Sequence, residues 1–204
     1  MKILLISANT AETPYPVYPL GMGVVDNALV RAGHAVVQFD FLHSGQSVEK
    51  LADALRLQMP GLVGISIRNI DNVNLLNEQH YIPMVRQIVT VIRSVVKAPI
   101  VLGGAGFSIM PEEILNAVGA DYGIVGEAES TVVDFVTSIE RGERPARCIR
   151  PSQRVDPERI GSARYDSDIM KYYLQHGSMA GVQSKRGCVH RCVYCTYPLL
   201  EGRT

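Results

Sequence analysis

The chain has 204 residues, 47% of them hydrophobic, with 20 basic and 20 acidic side chains and a formal net charge of zero. One domain of that length buries about 70% of its unfolded surface, and a neutral chain has no global field to favour nucleic acid or an anionic membrane. No run reaches the ~20 apolar residues that span a bilayer, and the opening MKILLISANT is too short an apolar run for a signal peptide, so the expected location is the cytoplasm, where the four cysteines stay reduced.

Taken in order, five short apolar runs alternate with amphipathic stretches. The runs are KILLISA (2–8), AVVQFDFL (35–42), LVGISIR (62–68), PIVLGG (99–104) and DYGIVG (121–126). Nearly continuous apolar character is what parallel strands covered on both faces require. The stretches at 21–33, 47–59, 81–96, 111–119 and 130–142 carry apolar residues near the 3.6-residue period. Gly33 and Gly142 stand where helix C-caps belong, and Pro111 suits a first helical turn. The expected fold is α/β. It is a Rossmann-like, flavodoxin-type sheet of five parallel strands in the order 2-1-3-4-5, helices on both faces, over residues 1–142.

Residues 143–179 change texture. They hold three prolines, many arginines and no sustained periodicity, which predicts an extended connector with a short helix near DIMKYYLQ. Cys148 falls here and reads as an unpaired thiol. Over residues 180–204, AGVQSK predicts one more strand running into a loop with Cys188, Cys192 and Cys195 at C-x3-C-x2-C spacing.

In an open parallel sheet, ligands bind beyond the carboxyl ends of the strands. Four such segments are polar or glycine-rich here: 9–21, the stretch after Ser66 with Arg68 and Asn69, GGAGFS (103–108) and GEAES (126–130). Glycines admit close backbone approach and present N–H donors near helix starts. For one loop alone, a tight turn or an acidic helix N-terminus explains the residues as well. Taken together they point to a ligand with amide, phosphate or sugar groups. Nicotinamide in its usual mode is excluded, because no G-x-G-x-x-G follows the first strand.

The three clustered thiols fit buried helix cysteines, a zinc site or an iron–sulfur cluster. The flanking KRG and YP oppose a helix. Zinc requires a fourth ligand, for which only His190 and Cys148 offer themselves, at no zinc-ribbon spacing. A [4Fe-4S] cluster on three cysteines leaves one iron open.

The run Cys188-x3-Cys192-x-Tyr194-Cys195, preceded by Arg186-Gly187, resembles the signature of the radical S-adenosylmethionine (SAM) superfamily. The resemblance implies that Cys188, Cys192 and Cys195 ligate a [4Fe-4S] cluster and that SAM fills the open iron site, with Tyr194 near its adenine. It also implies reductive cleavage of SAM to a 5′-deoxyadenosyl radical, with flavodoxin or ferredoxin as the electron donor. The strand AGVQSK would open a (β/α) barrel, of which only nine residues follow Cys195. A full barrel takes roughly 200 residues or more, so a fragment of a longer protein, inactive alone, is the expectation.

Residues 1–142 are similar to the B12-binding domain that precedes the barrel in cobalamin-dependent radical SAM enzymes, through GISIRN, VLGGAGFSIMPEEIL and ADYGIVGEAES. This implies a cobalamin site at Ser66, Arg68, Asn69, Gly103, Gly104, Gly106, Ser108, Gly126 and Glu127. The D-x-H-x-x-G motif of methionine-synthase-type domains is missing. Asp40 and His43 stand at the wrong spacing after the second strand, which implies base-off binding without a histidine lower ligand, with His43 at the surface. The implied activity is radical chemistry at an unactivated carbon of a small molecule, methyl transfer above all. The alternatives are a non-catalytic corrinoid-binding module and a zinc-stabilised structural fragment.

Overall fold

The computed structural model describes residues 1–151 and 161–202. Part of the expected connector, residues 152–160, lies outside them. The strands are β1 (Lys2–Ser7), β2 (Ala35–Asp40), β3 (Leu62–Ser66), β4 (Ile100–Gly103), β5 (Tyr122–Ile124) and β6 (Cys148–Ile149). They form one parallel sheet in the order β2-β1-β3-β4-β5-β6. The expected order of the first five holds, and β6 adds a sixth.

Period-two alternation divides the strand side chains between two helix layers. Leu4, Ile6, Val63, Ile65, Ile100 and Leu102 pack on α2 (Val48–Gln58), α3 (Ile82–Val95) and α5 (Pro111–Val118). Ile3, Leu5, Leu62, Val101 and Ile124 turn to α1 (Leu20–Arg31), α6 (Glu129–Glu140) and α7 (Ser167–Gly177). The five helices expected before residue 143 are all present. A further short one, α4 (Ala105–Ile109), begins within GGAGFS, which the sequence suggested as a loop. Its Phe107 is fully buried and lies across Gly123. No helix among the described residues is long and apolar enough to cross a membrane.

The described residues of 143–179 pack on the sheet rather than extend from it, and the short helix expected near DIMKYYLQ is α7. Backbone N–H groups of Gly123 and Val125 donate to the carbonyls of Arg147 and Ile149, adding β6 at the sheet edge. Three of the arginines that gave this stretch its loop-like composition are used in pairing. Arg147 donates to Asn116 at 2.8 Å, and Arg150 forms an ion pair with Glu112 at 2.9 Å, both on α5. Farther on, Arg164 reaches the buried Asp26 of α1 at 2.6 Å, and Gln38 Nε2 donates to the same carboxylate. Asp166 caps α7 by accepting from Asp168 N and Ile169 N. That helix buries Ile169 and Tyr173 against the sheet, each contributing about 1.5–3 kcal/mol. The strand expected over 180–185 does not form, and that stretch is irregular. Among the described residues it pairs with no strand.

Tyr173 is fully buried and donates to Asp40 at 3.1–3.2 Å, while the His43 N–H donates to the same carboxylate at 2.7 Å. Burial is the largest effect on the Asp40 carboxyl and pushes its pKa above the ordinary aspartate value. The unfolded chain therefore ionises this group first, and its contribution to stability falls as pH rises from the ordinary carboxylate range through the raised folded pKa. Asp40→Asn should gain stability relative to the parent protein as pH rises from about 4 to about 7. Urea melts at several pH values check this, and parallel curves would contradict it.

Candidate functional site

Across the three central strands the register aligns Ser7, Ser66 and Gly103 in one row, and Leu5, Gly64 and Val101 in the row behind it. By alternation both rows face the α1/α6 layer. Four of these six positions carry a hydroxymethyl group or nothing, so a hole opens under the carboxyl ends of β1, β3 and β4. It is a cavity of about 360 Å³. Tyr18, Pro19 and Met22 wall it on the α1 side, and Ala128 and Val132 on the α6 side.

Two glycines are there for backbone reasons. Gly104 has φ +98, and a Cβ on it would lie 2.5 Å from the Ile67 carbonyl oxygen. Gly106 lets α4 abut the loop after β3, since a Cβ there would meet Arg68 and Asn69 backbone at 3.0 Å. The Ser108 hydroxyl donates to Gly104 O and accepts from Gly126 N–H, each at 2.9 Å. It thereby fixes the loop after β4 to the loop after β5.

Of the residues implied for cobalamin, Ser66, Arg68, Gly103, Gly104, Ser108, Gly126 and Glu127 line the cavity. Asn69 is exposed beside Arg68, and Gly106 supports from behind. Tyr194 is 86% exposed on the cysteine loop, away from the cavity wall. His43 is exposed, with its ring edge-on to Tyr172. Sequence reasoning missed Asn9, Tyr18 and Gly64. Gly64 carried a signal, because a glycine inside a β-branched strand marks a close approach or a void.

Polar groups at the cavity are unevenly satisfied. Asn9 is buried and its Oδ1 accepts from Ala11 N–H, but its Nδ2 has no hydrogen-bond partner. That nitrogen lies near enough to the Tyr173 hydroxyl to lower its pKa slightly, against a larger upward push from burial. The Tyr18 hydroxyl donates to Gln38 and accepts from Asp166 N–H. Burial above all raises its pKa to about 12, so it stays neutral. Buried polar atoms without partners are rare in folded proteins and concentrate where a ligand completes them. An orphan donor beside a cradle of glycines fits a large ligand rich in amide and phosphate acceptors.

The cysteine segment supplies the last wall, through Gln183, Arg186, Leu200 and Glu201. Arg186 forms ion pairs with Glu127, at 3.4 Å, and with Glu129. The thiols of Cys188, Cys192 and Cys195 are free. Among the described residues, no three of His, Cys, Asp or Glu are gathered as a metal site. The three thiols fall within eight residues, Cys192 is exposed, and Cys195 N–H donates to Cys192 O. Cys148 is half-buried in β6, and burial pushes its thiol pKa up, which leaves it inert.

Residues 6–136 match the B12-binding domain family. The chain belongs to that family. The tryptophan 2-C-methyltransferase of Streptomyces laurentii is 23% identical across 98% of this chain and 44% of its own length. The structure of the radical SAM methyltransferase TsrM from Kitasatospora setae, with cobalamin and a [4Fe-4S] cluster bound, aligns over 99% of this chain at a TM-score of 0.82 and 25% identity. That of the cobalamin-dependent radical SAM enzyme OxsB, with aqua-cobalamin and SAM bound, aligns over 95% at a TM-score of 0.68 and 18% identity. The chain spans 42% of the TsrM structure and 28% of the OxsB structure. It is a cobalamin-binding domain with a following segment, and resembles the N-terminal part of cobalamin-dependent radical SAM methyltransferases.

Ser108→Ala should cost about 1 kcal/mol, the usual worth of a hydrogen bond lost at a half-buried donor, here Gly126 N–H. Urea unfolding measures it, and a loss under about 0.5 kcal/mol would show that the two glycine loops do not depend on this hydroxyl.

Proposed function

We propose that this chain carries cobalamin and a [4Fe-4S] cluster for a radical SAM enzyme that transfers a methyl group to an unactivated carbon of a small molecule. The observation that carries the reading is the cavity at the carboxyl ends of β3 and β4, opened by Ser66 and Gly103 on one sheet face, with Leu5 lying over Gly64 in the row behind. At about 360 Å³ it falls in the range of small-ligand sites and is far smaller than a corrinoid. Its lining, with Arg68 and Gly126 at the loops around it, would hold part of the cofactor. Binding is proposed without a histidine ligand, as the missing D-x-H-x-x-G motif implies. The cysteine segment contributes Cys188, Cys192 and Cys195 as cluster ligands, and Tyr194 for the adenine of SAM.

When bound, cobalamin supplies the methyl-carrying cobalt and the cluster supplies the electron that cleaves SAM. The chain's own residues bind and orient. Asn9 lines the cavity beside Ser7 and Ser66. Arg68 places a positive charge at its rim, suited to a phosphate. The apolar side chains of α1 and α6 exclude water from the buried part. Reducing equivalents would come from a flavodoxin or ferredoxin.

Absorbance titration with hydroxocobalamin tests the reading. A Cβ on Gly103 would make only an ordinary 3.7 Å contact with Ile124 O, so Gly103→Leu should fold with an unchanged melt while its side chain fills the cavity. The parent chain should bind saturably and the variant at least about tenfold more weakly, a loss of about 1.4 kcal/mol. Equal binding by both would remove the cavity from the proposal. Iron with acid-labile sulfide after anaerobic purification supports the cluster, whereas stoichiometric zinc would replace it with a structural metal.

A further inference from the structure

The cysteine segment is held to the sheet domain by a buried ion cluster, not by its thiols. Arg186 stands two residues before Cys188. Its guanidinium bonds Glu127, in the loop after β5, and Glu129, the first residue of α6. The three side chains are only 15%, 11% and 10% exposed. A planar guanidinium fork between two carboxylates fixes direction as well as distance. Water is largely excluded there, and removing Arg186 would leave two carboxylates buried side by side without their cation.

Arg186 also belongs to the cavity wall, together with Gln183, Leu200 and Glu201. The next residue, Gly187, is buried and has φ +81, a bend that other residues adopt reluctantly. Beyond it, Cys188 N–H donates to Gly202 O at 2.9 Å, which closes residues 188–202 into a loop whose two ends both border the cavity. The cavity wall and the thiol loop are therefore one segment, separated by a single glycine. The thiols are not gathered, so ligating a cluster must reshape a loop whose fixed end is Arg186.

We propose that Arg186 is a positioning residue that couples the two sites. Its bonds to Glu127 and Glu129 transmit the ordering of the cavity wall to the cysteine loop, so that a filled cavity and an assembled cluster favour one another. Such coupling is reciprocal: the factor by which the cluster tightens corrinoid binding equals the factor by which the corrinoid tightens cluster ligation. The inference rests on the corrinoid reading of the cavity.

The test is anaerobic hydroxocobalamin titration of the full chain, before and after reconstitution with iron and sulfide. In the parent protein the cluster should lower the Kd by at least about fivefold. In Arg186→Gln the two Kd values should agree within about twofold, and Arg186→Lys should recover part of the difference. Glu129→Gln, which keeps Arg186 and its bond to Glu127, should give an intermediate factor and serves if Arg186→Gln does not fold. A second readout needs no cluster: hydroxocobalamin should slow tryptic cleavage after the exposed Arg191 in the parent chain but not in Arg186→Gln. If the parent chain binds hydroxocobalamin with the same Kd with and without cluster, the coupling is refuted and the corrinoid reading stands. Equal tightening in parent and variants would refute the role of Arg186. Absence of hydroxocobalamin binding by the parent chain would overturn the corrinoid reading, and the coupling with it.

Discussion

In a sheet covered on both faces, each side chain directed at a helix layer fills space or leaves a hole, and the packing density of protein interiors makes unfilled space rare. At the ends of the three central strands this chain leaves a hole in register. Ser7, Ser66 and Gly103 lie side by side, with Gly64 one row behind. The neighbouring residues on the opposite face, Ile6, Ile65 and Leu102, are fully or almost fully buried. The asymmetry belongs to the sequence period: the same strands that fill the α2/α3/α5 layer withhold volume from the α1/α6 layer. The rest of the site depends on that omission. The loops after β3, β4 and β5 surround an opening that exists before they do anything, and Ser108 and Gly104 hold them around it.

The α1/α6 layer has to be completed elsewhere, and the segment after residue 142 does this. Tyr173 and Ile169 of α7 take core positions against Tyr18 and Leu42, and Tyr18 stands in an edge-to-face contact with Tyr173 at 5.6 Å. Polar anchors fix the approach, with Arg164 on the buried Asp26 and Tyr173 on the buried Asp40. A buried carboxylate stripped of its partner costs several kcal/mol. These contacts are therefore conditions for the fold, and the cavity wall formed by Tyr18 inherits its position from them.

Five strands, their order and five helices were legible from residue pattern alone, because β-strand and helix periods are local and the core faces obey them. What escaped was set by partners distant in sequence. β6 is two residues long and exists because Gly123 and Val125 offer free edge groups; no periodicity can announce it. The arginines at 147, 150 and 164 looked like the composition of a solvated connector, and only the fold brings Asn116, Glu112 and Asp26 opposite them. The strand expected over 180–185 shows the complementary case: its composition was suitable, but among the described residues it pairs with no strand. At the site, the glycine-rich loops were readable because glycine reports a backbone need. Asn9 and Tyr18 were not, since their role comes from burial that no neighbour in sequence predicts.

The cysteine loop shows a division of labour that follows from thiol chemistry. Thiolates bind metal and thiols do not, and three thiolates held together without metal would repel one another, so a loop has little to gain by gathering them in advance. Cys192 stands exposed and the three sulfurs stay apart. The part of the segment that can be fixed beforehand is the approach to them. Arg186 in its carboxylate clamp and Gly187 at its bend fix it, on the same surface that closes the cavity. Under the proposed cluster reading, a segment anchored in this way has few conformations left to lose on ligation, which lowers its entropic cost.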